Sequence, residues 1–197
     1  SNVIQPWKVE QVMEAIDRAE KIVITTHRSP DGDALGSSLA LYHFLKRRNK
    51  NVRVIVPNSF PYFLKWMPGA REIDIYEYNP AAGQHILMHA DLIFSLDYNI
   101  SKRVGDMGPF LDQSPAQKIL IDHHLLPGEN FDIIISHPEI SSTSEVLFRL
   151  FLQAGKYDEL TKGEAECIYC GMMTDTGSFT YNSSDPEIFE IISLLLR

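Results

Sequence analysis

The chain has 197 residues, 44% apolar and 22% charged, a composition that suits one folded domain or one and a half and excludes an intrinsically disordered chain. With 18 basic and 26 acidic side chains the formal charge is −8, which argues against a coat for long nucleic acids. A short nucleotide handled at a metal site stays open, because cations supply positive charge locally. No apolar run approaches the roughly 18 residues of a membrane span, and the start lacks a basic stretch leading into an apolar one. The cysteines are Cys167 and Cys170, so a reducing, cytoplasmic setting is expected.

In chain order, Trp7 to Glu20 places Val9, Val12, Met13, Ile16 and Ala19 at helical spacing. Lys21 to His27 is a β-branched run, short enough for a buried strand. Arg28 to Asp33 reads as a turn, followed by a helix from Ala34 with Leu35, Leu39, Tyr42 and Leu45 on one face. Further strands are expected at Val52–Val56, Ile73–Tyr76, Leu92–Leu96, Lys118–Ile121 and Phe131–Ile135. Helices are expected near Pro80–His89, Thr143–Gln153, Gly163–Met173 and Pro186–Leu196, the last capped by Ser184 or Asp185. Strands alternating with helices, several of them apolar throughout, predict an α/β domain with a mostly parallel β-sheet flanked by helices. In such sheets ligands bind beyond the carboxyl ends of the strands.

Four places follow one pattern, an apolar strand that ends with a carboxylate or imidazole just beyond it: His27 with Asp31 and Asp33, then Asp97, then Asp122-His123-His124, then Asp175. A single aspartate after a strand is most often a cap or turn residue. Four such places, with three imidazoles among them, point to convergent ligands. His27, Asp31, Asp33, Asp97, His123 and Asp175 have the mixed carboxylate and imidazole character that suits Mn²⁺, with Mg²⁺, Fe²⁺ or Co²⁺ as substitutes. Around Gly32 the carboxylates of Asp31 and Asp33 can splay toward two neighbouring cations, the arrangement of a two-metal hydrolytic centre. Gly36-Ser37-Ser38 falls in the first turn of the following helix, where backbone N–H groups could place an anion or Gly36 could let helix and sheet pack closely.

His27-Arg-Ser-Pro-Asp-Gly-Asp-Ala-Leu-Gly-Ser37, Asp97, Leu120-Ile-Asp-His-His124 and Gly171-Met-Met-Thr-Asp-Thr-Gly-Ser-Phe179 resemble, in order, the motifs of the DHH phosphoesterase superfamily. The similarity is greatest to its RecJ-like branch with the bacterial nano-RNases, and it runs over about residues 5–195. The resemblance implies a Mn²⁺-dependent two-metal phosphoesterase domain spanning 1–197. His27, Asp31 and Asp97 would hold one ion; Asp33, Asp97, His123 and Asp175 would hold the other, with Asp97 bridging. His124 would face the scissile phosphate, and Asp122 would orient the histidines. Relatives of this branch carry a second, smaller C-terminal substrate domain with a glycine-rich, His-containing motif; that motif does not occur here.

The implied substrate is a short oligonucleotide, a linear dinucleotide or a 3′,5′-bisphosphorylated nucleoside, since a −8 chain has little to track a long backbone. A single-strand exonuclease and an inorganic pyrophosphatase are the alternatives within the superfamily, and a non-catalytic nucleotide-binding module is the alternative outside it. No membrane partner is implied, and a homodimer is left open. Arg28 and Arg103, the basic residues nearest the motifs, are candidate phosphate contacts. Cys167 and Cys170 read as small buried apolar residues and not as a redox pair. His43, His85, His89 and His137 read as ordinary histidines. Tyr62, Phe63 and Trp66 read as a satellite core under a loop, with base stacking as the second reading.

Overall fold

The computed structural model describes residues 2–175 and 186–197, with side chains described to 174 and again from 190. Helix α1 (Pro6–Arg18) leads into strand β1 (Lys21–Thr26) and helix α2 (Gly32–Arg47). Then come β2 (Asn51–Val56), a two-residue β3 (Asp74–Ile75), α3 (Pro80–Met88) and β4 (Leu92–Leu96). A 3₁₀ stretch (Ser101–Met107) precedes α4 (Gly108–Gln113), β5 (Gln117–Asp122), β6 (Ile133–Ser136), α5 (Thr143–Gln153), α6 (Lys162–Asp175) and α7 (Pro186–Leu195). The strand order is β3-β2-β1-β4-β5-β6, and every pairing is parallel.

Strand residues alternate between the two faces, as the period of two requires. Ile22, Ile24, Leu92, Phe94, Leu96, Ile119 and Ile121 join the larger core with Ile16, Leu39, Phe148 and Ile168. Val23, Ile55 and Ile93 join a smaller core with Leu87, Met107 and Leu111. Both faces are covered, which is why the strands are apolar throughout and not amphipathic. The chain builds outward from β1 through β2 to β3, then returns to the other side of β1 with β4. β1 and β4 therefore flank the switch point of the sheet, the place where such folds hold ligands in a crevice. Thr26 pairs with Leu96, and Leu96 with Ile121, so the next residues along the chain, His27, Asp97 and Asp122, stand side by side at that edge.

Several expectations are corrected. The segment Arg28–Asp33 is not all turn: α2 starts at Gly32, because the Asp31 side chain accepts a hydrogen bond from Ala34 N at 2.9 Å and caps the helix. Gly36 consequently lies a turn inside α2 and packs against a helix, not the sheet: a Cβ there would stand 2.4 Å from the Cys167 carbonyl oxygen of α6. The strand expected at Ile73–Tyr76 shortens to two residues, since Tyr76–Tyr78 turns into a 3₁₀ helix. The 3₁₀ stretch and α4 were not expected; Gly105 (φ +58°) breaks their periodicity. Asp175 ends a helix and not a strand, and Ser184 and Asp185 lie outside the described residues.

Candidate metal centre

Asp97 is the hub. It follows β4 directly, is 2% exposed, and sits at φ +65°, a conformation that side-chain-bearing residues seldom adopt. Its N–H donates to Ile121 O at 3.1 Å, which locks the turn against β5. Its two carboxylate oxygens face different imidazoles. Oδ2 is 3.2 Å from His27 Nε2, and Oδ1 is 3.3 Å from His123 Nε2. Burial works to raise its pKa, but hydrogen bonds from His123 and His27 outweigh burial and hold the carboxyl well below the usual carboxylate range.

His27 presents Nε2 to the site because Nδ1 is engaged by the Arg28 carbonyl at 2.7 Å. Its Nε2 is also 3.7 Å from Asp31 Oδ1. Burial works against the imidazolium, yet Asp31 and Asp97 together push the His27 pKa up to about 10. His123 Nε2 is 3.7 Å from Asp33 Oδ2. His124 Nδ1 is 2.6 Å from Asp122 Oδ1, a contact that raises the His124 pKa. Asp122 is fully buried, and its Oδ2 has no hydrogen-bond partner among the described residues.

Asp33, 1% exposed in the first turn of α2, is held by the N-terminus of α5. Thr143 N donates to Oδ2 at 2.9 Å; Ser144 N and Oγ donate to Oδ1 at 2.9 and 2.7 Å. The positive end of the helix dipole adds to this cradle. Thr143 Oγ1 also donates to Asp97 Oδ1 at 2.9 Å, so one side chain aligns the hub while its backbone aligns Asp33. Sequence reading missed Thr143 and Ser144. The one available signal was the Ser141-Ser-Thr-Ser144 run where a helix was expected to begin.

Two groups of side chains can each direct ligand atoms at one cation: His27, Asp31 and Asp97, and Asp97, His123 and His124. Asp97 belongs to both. The structure thus gathers His27, Asp31, Asp33, Asp97, Asp122, His123 and His124 at one sheet edge. Asp175 ends α6, but its side chain lies outside the described residues. Arg28 and Arg103 are exposed and joined through Arg28 N to Arg103 O at 2.8 Å, which brings the loops after β1 and β4 together on one side of the crevice. Hard carboxylate oxygens mixed with imidazoles, with Asp33, Asp97 and Asp122 buried, fit divalent first-row cations or Mg²⁺.

The remaining candidates stay outside this cluster. Cys167 and Cys170 are buried, and burial pushes the Cys167 thiol up to about 12. His85 and His89 are exposed and stacked at 4.0 Å, and neither joins a three-ligand group among the described residues. His43 bonds the Pro68 carbonyl and His137 bonds Glu139. Tyr62, Phe63 and Trp66 are not a satellite core: they are 84, 69 and 58% exposed. No described helix is long and apolar enough to cross a membrane.

A parallel doubly wound sheet with a carboxylate–imidazole cluster at its switch point defines an α/β fold with a candidate metal centre. The chain belongs to the DHH family: the model of that family's N-terminal domain matches residues 21–172. It is 29% identical over 191 residues to a Thermus thermophilus protein named bifunctional oligoribonuclease and PAP phosphatase NrnA, covering 95% of this chain and 52% of that one. A solved structure titled an exopolyphosphatase-related protein from Bacteroides fragilis superposes with a TM-score of 0.98 at 52% identity, covering all of this chain and 58% of the other. The exonuclease RecJ bound to manganese superposes with a TM-score of 0.59 at 15% identity, over 97% of this chain and 46% of that one, a likeness of fold. The chain thus spans about half the length of the relative and the structures it matches.

Proposed function

We propose that this chain is the catalytic domain of a two-metal phosphoesterase that hydrolyses short oligonucleotides, linear dinucleotides or 3′,5′-bisphosphorylated nucleosides. The observation that carries the reading is the placement of Asp97, each of whose oxygens faces a different imidazole within 3.3 Å while the carboxylate takes part in two ligand groups. The names of the oligoribonuclease relative and of the manganese-bound RecJ support the substrate class and Mn²⁺ as the metal.

His27, Asp31 and Asp97 would hold one ion, and Asp33, Asp97, His123 and Asp175 the other. When bound, two such ions supply an activated water at neutral pH and charge stabilisation on both the attacking and the leaving oxygen. The chain's own residues do the rest. Buried Asp97 keeps its charge because its imidazole partners outweigh the cost of burial. The N-terminus of α5 keeps both Asp33 oxygens oriented, so that carboxylate is held in place before a cation binds. Asp122 holds His124 by Nδ1 and keeps it biased toward the cationic form, suited to donating a hydrogen bond to a phosphate oxygen. Arg28 and Arg103 would meet the phosphate from the rim. The acidic balance of the chain supports a short substrate over a long polymer.

The test is a Mn²⁺-dependent hydrolysis panel on the intact protein: dinucleotides, longer RNA and DNA, a 3′,5′-bisphosphorylated nucleoside and pyrophosphate. Dinucleotides and the bisphosphorylated nucleoside should turn over fastest, and Asp97→Asn should abolish turnover with its circular dichroism spectrum unchanged. Full activity in that variant would sink the two-metal reading, and turnover confined to pyrophosphate would move the substrate to inorganic polyphosphates.

A further inference from the structure

The segment between β2 and β3 carries an aromatic face that the metal centre leaves unexplained. Phe60, Leu64 and Met67 are buried at 7, 2 and 2% exposure and join the larger core, so a short 3₁₀ turn (Tyr62–Leu64) is pinned down from beneath. The rings between those anchors, Tyr62, Phe63 and Trp66, point outward. Large rings held in water by a packed backbone form a presented surface. The face is also cationic. Lys65 Nζ stands 5.7 Å from the Tyr62 ring centroid, and Arg71 borders the same surface. Flat rings interleaved with cations match a ligand that is itself flat and anionic, a nucleotide, better than they match an apolar protein face.

Position supplies the second argument. Asn58 Oδ1 accepts from Ser29 N at 2.7 Å, tying this segment to the loop between His27 and Asp31. A groove of about 510 Å³ runs from Ser29, Asp31 and Thr174 to Pro61 and Phe63. That volume lies in the range of small-molecule sites. Phe63 lines both this groove and the outer surface shared by Tyr62, Lys65, Trp66 and Arg71. It stands at the junction between the metal-ligand edge and the aromatic face.

We propose that Phe63, with Tyr62 and Trp66 beyond it, is a stacking platform for the nucleobases of the substrate whose phosphoester lies at Asp31 and Asp97. The platform deepens the phosphoesterase reading and rests on it. Phe63 takes the base next to the reacting phosphate; Tyr62 and Trp66 take the following one, with Lys65 and Arg71 matching the intervening charge. Stacking accepts any base, so the platform selects nucleotides over base-free phosphoesters without reading sequence.

The experiment uses the intact protein, with Phe63→Ala and the double variant Tyr62→Ala/Trp66→Ala compared with wild type. The substrates are 5′-phosphorylated diadenylate and base-free ribose 3,5-bisphosphate. Preference for the dinucleotide, as a ratio of kcat/KM, should fall about tenfold in Phe63→Ala, carried by KM and not kcat. Trp66 emission, read as the difference between wild type and Trp66→Phe, should be quenched by diadenylate and left unchanged by ribose bisphosphate. An unchanged preference together with unquenched emission overturns the platform. So does Trp66 emission that follows protein concentration instead of nucleotide, which would assign the face to a second copy of the chain. If wild type hydrolyses neither compound the phosphoesterase reading fails by itself, and the fluorescence titration still decides whether a base stacks on Trp66.

Discussion

Asp97 combines three features that ordinary surface aspartates do not share: positive φ, near-complete burial and two imidazole partners on opposite oxygens. A backbone conformation that costs of order 1 kcal/mol persists where its surroundings over-determine it, and such positions cluster at functional sites. Part of that surrounding is Thr143, whose hydroxyl fixes Oδ1. Thr143→Val removes this hydrogen bond with little change of shape, while the backbone N–H to Asp33 remains. Mn²⁺ affinity measured by calorimetry should fall between about 10- and 100-fold, the scale of lost supporting hydrogen bonds at metal sites, with the melting temperature nearly unchanged. Unaltered affinity would detach Thr143 from the centre. The ligand types themselves were legible in the sequence, because aspartates and histidines recur just after apolar runs. The support was not. Thr143 and Ser144 reach Asp33 across 110 and 111 residues, and no local pattern encodes a contact of that separation.

Among the elements, α2 and α6 decide how tightly the centre is built. Gly36 brings α2 against the Cys167 carbonyl, and a Cβ on Gly171 would stand 1.9 Å from Ser144 Oγ and 3.3 Å from Asp33 Oδ1. Helix separation and ligand placement are therefore set by the same contacts. The pair is further clamped by Arg47, which donates to both oxygens of buried Glu164 at 2.9 Å, and Glu164 also closes a capping box with Thr161. Gly36→Ala gains helix propensity but must push α6 away. It should destabilise the fold by about 1–3 kcal/mol in urea unfolding, the cost of overpacking; a gain in stability would show that α6 can yield. Most strands were legible because their apolar runs are four to six residues long, too short for a buried helix. The start of α2 was not, because Asp31 both caps the helix and faces His27, and the ligand role masked the cap. The aromatic segment was misread for a related reason: hydrophobic type alone does not tell which rings of Phe60–Met67 pack below the turn and which stand above it.

At the scale of the molecule, strand order does the assembling. Because β4 returns beside β1, residues 27, 97 and 122–124 become neighbours although they are dispersed along the chain. The alternation of strands and helices made a parallel sheet legible, and a parallel sheet alone implied that the motif ends share an edge. Which ends are adjacent depends on the order β3-β2-β1-β4-β5-β6, a property of packing both faces at once. That order sets Asp97 beside both His27 and His123, and so in both groups of side chains that could hold a cation. The charge of −8 gains a location as well: Asp31, Asp33, Asp97 and Asp122 concentrate at one edge, where cations would turn an anionic crevice into a phosphate-attracting one. Electron paramagnetic resonance of the Mn²⁺-titrated intact protein tests this account most directly. Two ions per chain with a spin-coupled signal, reduced to one uncoupled ion in Asp97→Asn, is the result it predicts. A single ion, or two magnetically isolated ions unaffected by that substitution, would contradict it.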